Sequence, residues 1–129
     1  MLVSIVIPVF RNAQSLDELH YRIVAAIKAA GDADYEIIYC DDGSDDQSHA
    51  VLSKIHQRDP GAVIVKLSRN FGQHAANAAA FEHVRGDIVV NMSADLQDPP
   101  EVITDLINKI GEGNDIVLAT RKKTDETPF

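Results

Sequence analysis

The 129-residue sequence has a single cysteine, Cys40. No intrachain disulfide can form, and a reducing compartment, the cytoplasm, is the expected setting. No run approaches the roughly 18 apolar residues of a membrane span. Basic residues are scarce: 12 Lys and Arg against 20 Asp and Glu give a net charge of −8. That balance argues against nucleic acid as a partner, because binding there rests on cations that neutralise phosphates. An anionic membrane would repel these residues for the same reason. An anionic ligand would need a metal ion or local backbone N–H groups to offset the protein's own field. Gly-x-Gly-x-x-Gly, the P-loop and Gly-x-Ser-x-Gly are all missing, which weakens dinucleotide, NTPase and serine-hydrolase readings. There is no internal repeat, low-complexity segment or interior linker. The apolar start lacks a basic leader and meets Pro8 early, so it reads as a strand and not as a signal peptide.

The apolar content, 45%, is enough to fill the core of one domain of this length. Short Val- and Ile-rich runs at Leu2–Val9, Tyr35–Cys40, Ala62–Leu67, Asp87–Asn91 and Asp115–Ala119 are near-continuously apolar, the pattern of strands covered on both faces. Four helical patterns lie between them: Leu16, Leu19, Ile23 and Ile27; Val51, Leu52 and Ile55; Ala75–Val84; and Val102, Ile103, Leu106, Ile107 and Ile110. Ser15 with Glu18, Ser44 with Gln47, and Asp98 with Glu101 have capping-box spacing, and Gly31, Gly86 and Gly111 fall where helices should end. Strands alternating with helices predict an α/β fold, a mostly parallel twisted sheet with helices on both faces. Residues 121–129 are polar and patternless, with Lys122 and Lys123 read as a solvated tail.

In such sheets ligands bind at the carboxyl ends of the strands, where the strand order reverses. The segments to inspect are therefore Pro8–Asn12, Asp41–Asp46, Ser68–Gln73 and Ser93–Asp98. Asp41-Asp42-Gly43-Ser44 offers carboxylates to a base or ribose, yet it is also an ordinary turn followed by a helix start. If the chain after the fourth strand is extended, Asp95 and Gln97 share a side and could present two oxygens to a hard cation, Mg²⁺ or Mn²⁺; the alternative for Asp95 is a plain loop carboxylate. Arg69 is a candidate phosphate or carboxylate partner in an otherwise acidic ring of loops. His74 begins a helix, and His20, His49, His56 and His83 lack metal-ligand spacing and are read as surface residues.

Taken in order, four segments resemble the nucleotide-sugar-dependent glycosyltransferases of family 2, which have the GT-A fold. They are Val3-Ser4-Ile5-Val6-Ile7-Pro8-Val9-Phe10, Glu36-Ile37-Ile38-Tyr39-Cys40-Asp41-Asp42-Gly43-Ser44, Ser68-Arg69-Asn70-Phe71-Gly72 and Asp95-Leu96-Gln97-Asp98-Pro99-Pro100-Glu101. The last resembles the branch with a polyprenyl-phosphate acceptor, the dolichol-phosphate mannosyltransferase-like enzymes. The resemblance implies that Pro8 and Val9 line a nucleoside pocket, that Asp41 hydrogen-bonds the base or ribose, and that Arg69 and Ala94 belong to the same donor site. It implies that Asp95 is the second Asp of an Asp-x-Asp metal motif, with Gln97 as a further contact to Mg²⁺ or Mn²⁺. The implied reaction is inverting sugar transfer from a UDP- or GDP-sugar. Ser93 stands where that motif has its first Asp, and Arg11-Asn12-Ala13 replaces the usual Asn-Glu.

The resemblance also implies that residues 1–120 are the donor-binding part of a longer parent held at the cytoplasmic face of a membrane. The acceptor-side half would lie elsewhere, leaving an open sheet edge beside the fourth strand that invites a second copy. The competing readings are a non-catalytic nucleotide-sugar-binding or scaffold module of the same fold, which Ser93 favours, and a phosphoacceptor domain. The phosphoacceptor domain would need its acidic pair on a central strand and a Lys after the last one, where Arg121 is the nearest base.

Overall fold

The computed structural model describes residues 1–31 and 33–112. Four strands, β1 (Leu2–Val9), β2 (Asp34–Asp41), β3 (Ala62–Lys66) and β4 (Ile88–Asn91), alternate with four helices, α1 (Leu16–Ala29), α2 (Ser48–Arg58), α3 (Gln73–Phe81) and α4 (Val102–Gly111). The strands form one sheet in the order β3-β2-β1-β4, and every pairing is parallel. The predicted run Asp115–Ala119 and the tail lie outside the described residues.

Strand alternation sorts the core into two layers. Val3, Ile5, Ile7 and Val9 of β1 and Ile37 and Tyr39 of β2 point to the face covered by α1, α2 and α4, meeting Leu19, Ile23, Leu52, Ile55, Ile103 and Ile107. Val6, Ile38 and Cys40 point to the opposite face, against Ala76 and Ala80 of α3. The small side chains of α3 let its backbone come close to the sheet. Cover on both faces holds for β1 and β2, but β4 alternates buried and exposed residues and Val89 is exposed. Among the described residues β4 is paired only with β1.

The capping boxes are not realised. Glu101 occupies the N-cap of α4, and neither it nor Ser15 caps its helix through the side chain. α2 begins only at Ser48, because the Ser44 hydroxyl instead accepts the Arg11 N–H at 2.9 Å. Gly86 does not end a helix, since α3 stops at Phe81. It is small because a Cβ there would lie 2.4 Å from the Ser4 hydroxyl. That hydroxyl donates to buried Glu36 at 2.6 Å, and Glu36 also accepts the Arg85 N–H at 2.7 Å. Burial opposes ionisation of Glu36, but these bonds and the Arg85 guanidinium outweigh it and hold its carboxyl below the usual range.

His20 is not a surface residue. It falls on the buried face of α1 with Leu16, Leu19 and Ile23, where its ring joins the Tyr39 hydroxyl at 2.7 Å to Asp59 at 2.8 Å. His56 is exposed, as expected, with its Nδ1 2.6 Å from the Ala62 carbonyl.

Candidate functional site

The strand order reverses between β1 and β4, because the chain steps outward from β1 to β3 and then crosses back. At the carboxyl ends of these strands is a cleft of about 290 Å³, where a parallel sheet places its ligands. Its lining draws on the ends of all four strands and the segments after them: Pro8 and Val9 at the end of β1 with Phe10 and Asn12 beyond it, Asp42 after β2, Asn70, Gly72 and Gln73 (the first residue of α3) after β3, and Ser93, Ala94 and Asp95 after β4.

The first loop is clasped to the second. Phe10 N–H donates to Asn12 Oδ1 at 2.8 Å and Asn12 N–H to the Ser48 hydroxyl at 2.9 Å. Arg11 takes the left-handed φ of 56°, unusual for a residue with a Cβ. Its guanidinium makes two hydrogen bonds to Asp45, at 2.8 and 2.9 Å, and lies 4.7 Å from the centroid of the Phe10 ring. The bonds to Asp45 raise the Arg11 pKa and lower that of Asp45.

Asp42 holds the third loop in place. One carboxylate oxygen accepts the Phe71 N–H at 2.8 Å, and the other accepts the Gly72 N–H at 3.0 Å and the Asn70 amide at 3.2 Å. Gly43 makes this possible: at φ 70°, a Cβ there would lie 2.3 Å from the Arg69 carbonyl carbon. Arg69 stacks its guanidinium over Phe71, 4.7 Å from the ring centroid.

Asp41, the predicted base or ribose partner, is fully buried and does not line the cleft; its neighbour Asp42 does. The reason is parity: Asp41 follows Tyr39 onto the α2 face, whereas Asp42 follows Cys40 toward the third loop. One Asp41 oxygen accepts the Ser44 N–H at 3.0 Å. The other is buried without a hydrogen bond, 3.8 Å from His49 Nδ1, which also lacks one.

The fourth loop is not extended. The Asp95 carboxylate accepts the Gln97 N–H at 3.1 Å and the Ser93 hydroxyl, and Leu96 turns the chain through φ 64°. Asp95 and Gln97 therefore do not share a side by strand alternation, and Gln97 is outside the lining. Ser15, predicted as a cap, donates instead to the Ala94 carbonyl at 2.7 Å, tying α1 to this loop. Of the predicted site residues, the cleft thus gathers Pro8, Val9, Ala94 and Asp95, and leaves Asp41, Arg69 and Gln97 outside its lining. Asp42 and Asn70 lie in two of the segments singled out from the sequence, but the resemblance assigns the donor contact to Asp41 and Arg69, although strand parity points to Asp42.

The oxygen donors of the cleft suit a hard cation, but no group of three His, Cys, Asp or Glu that could hold a metal occurs among the described residues. Asp95 fits the Mg²⁺ pattern of one or two carboxylates completed by substrate phosphates. No described helix is long and apolar enough to cross a membrane.

Comparison with known proteins gives a consistent result. The profile of Glycosyl transferase family 2 matches residues 4–129. The undecaprenyl-phosphate 4-deoxy-4-formamido-L-arabinose transferase of Enterobacter sp. (strain 638) is 47% identical over 129 residues, covering 98% of this chain and 39% of its own length. The protein of the same name from Pseudomonas paraeruginosa is 48% identical over 121 residues, 93% of this chain and 35% of its own. The chain thus spans little more than a third of these relatives. Among solved structures, S. aureus TarS 1-349 superposes with a TM-score of 0.66 at 20% identity, over 87% of this chain and 33% of its own. The mannosyltransferase PcManGT from Pyrobaculum calidifontis, in complex with GDP-Man and Mn²⁺, gives 0.61 at 21% identity, over 75% and 32%. These likenesses establish the shared GT-A fold.

Proposed function

The chain belongs to glycosyl transferase family 2, and from that premise we propose that residues 1–120 bind the nucleoside-diphosphate sugar for inverting transfer to a polyprenyl phosphate. The observation that carries the reading is the cleft at the β1/β4 reversal, lined from all four loops that hold the family-like segments. The acceptor class is supported by relatives whose names specify undecaprenyl phosphate. The donor class is supported by neighbours solved with UDP, UDP-GlcNAc or GDP-Man.

Within the cleft, Pro8, Val9 and Phe10 supply an apolar wall for the nucleoside, and Ala94 gives the backbone close access. Asp42, whose oxygens also hold the third loop, and Asn70 line the wall on which the base or ribose rests, with Asp41 as the buried support that fixes the turn through Ser44. Arg69 brings a cation to the rim of an acidic protein, where a diphosphate needs one. Asp95 would hold Mg²⁺ or Mn²⁺, which when bound neutralises the departing diphosphate. Ser93 orients Asp95 by its hydrogen bond. A phosphate acceptor is largely ionised near neutral pH, with its second pKa about 6, so no residue of this chain has to serve as its general base.

The test is calorimetric titration of the chain with UDP and GDP in the presence of Mg²⁺, compared with Asp42→Asn and Asp95→Asn. Each substitution should weaken binding about tenfold or more, given ~1.5–3 kcal/mol for a hydrogen bond to a charged group. Equal affinity in all three proteins would refute the reading.

A further inference from the structure

Phe10 is the largest apolar side chain lining the cleft, and its ring is backed by a cation. Arg11 lies outside the lining, with its guanidinium 4.7 Å from the ring centroid. Its position is fixed twice over: by the bidentate pair with Asp45, and by a left-handed backbone whose N–H is held by the Ser44 hydroxyl. A strained φ at a residue with a Cβ persists only where its surroundings over-determine it. The outcome of that strain here is a guanidinium stacked against one cleft-lining ring. A bidentate, planar cation immobilises an aromatic face more firmly than a flexible ammonium does.

We propose that Arg11 is a positioning residue for the nucleobase of a nucleoside diphosphate: Asp45 holds the guanidinium, the guanidinium backs the Phe10 ring, and the ring's other face receives the base. The inference rests on the reading of the cleft as a donor-nucleotide site. It extends that reading to a residue pair where this sequence departs from the Asn-Glu usual at its family-like segment.

The test is titration of the full chain with UDP, GDP and, as a base-free probe, inorganic pyrophosphate, all with Mg²⁺. Arg11→Ala should weaken nucleotide binding about two- to fivefold, the range of an exposed cation–π contact, and leave pyrophosphate unaffected. Phe10→Ala should weaken it about tenfold, as for loss of a base-stacking platform. The double variant should bind no more weakly than Phe10→Ala, because Arg11 acts through the ring. Arg11→Lys, which keeps the cation but not the fork, should recover part of the loss and serves if Arg11→Ala does not fold.

Unchanged nucleotide affinity in Arg11→Ala, an equal loss for pyrophosphate, or full additivity in the double variant would each overturn the inference while leaving the donor site intact. Absence of nucleotide binding by the unaltered chain would overturn both.

Discussion

Replacing Gly43 by Ala should damage both the fold and the cleft, by an amount the structure lets one work out. At φ 70° any residue with a Cβ carries about 1–3 kcal/mol of strain. The new methyl would also lie 2.3 Å from the Arg69 carbonyl carbon and 2.4 Å from the Asn70 nitrogen. Both are backbone atoms, so relief requires moving the third loop away from Asp42. Losing one of the bonds that Asp42 makes to that loop adds about 1.5–3 kcal/mol, the value for a hydrogen bond to a charged group. The control is Gly31→Ala, where φ is 133° but nothing lies within 4 Å of the added Cβ. It should show strain alone.

Thermal unfolding monitored by circular dichroism should therefore place Gly43→Ala below Gly31→Ala by about 2 kcal/mol, roughly 6–10 °C for a chain of this size. Nucleotide affinity should fall with Gly43→Ala only, since Asn70, Gly72 and Gln73 line the cleft. If Gly43→Ala melts no lower than Gly31→Ala, the account of the third loop is wrong.

Acid should unfold the protein through carboxylates that are hydrogen-bonded in the folded state. Glu36 and Asp59 are held below their usual range by hydrogen bonds that outweigh burial, so their contribution is full above about pH 4.5 and is lost as pH falls through the depressed folded values. Glu36→Gln should flatten the fall in melting temperature below about pH 4.5; an unchanged acid limb would contradict this. The Cys40 thiol is pushed up to about 11 by burial, then by Asp42 and Asp41, so iodoacetamide at about pH 8 should modify it only after denaturation; equal rates in folded and unfolded protein would refute that. Ser93→Asp adds a carboxylate beside Asp95 and should tighten Mn²⁺ binding in the presence of UDP or GDP several-fold, as ligand charge increases affinity for hard cations; weaker binding would refute the role assigned to Asp95.

The parallel α/β layout was legible because β1 and β2 are apolar on both faces, and the four strands among the described residues lie within a residue of their expected ends. What misled was polar chemistry with more than one outlet. Ser15 and Ser44 have the spacing of caps, but a hydroxyl near another loop takes the tertiary partner: Ser15 the Ala94 carbonyl, Ser44 the Arg11 N–H. His20 was read by residue type, when its place four residues after Leu16 on the apolar stripe already put it inside. The cleft's location followed from topology, but the choice between Asp41 and Asp42 needed strand parity. The turn at Leu96 could not be read at all, since nothing in a leucine announces a left-handed φ.

The proposed function puts a nucleoside diphosphate between the carboxyl ends of β1 and β4 with a divalent ion at Asp95. The most direct test is paramagnetic broadening of backbone amide signals by trace Mn²⁺, recorded with and without UDP or GDP. Nucleotide-dependent broadening centred on Ser93, Ala94 and Asp95, with nucleotide shifts at Val9, Phe10, Asp42 and Gly72, is the predicted result. Broadening centred elsewhere, or indifferent to the nucleotide, would contradict the account.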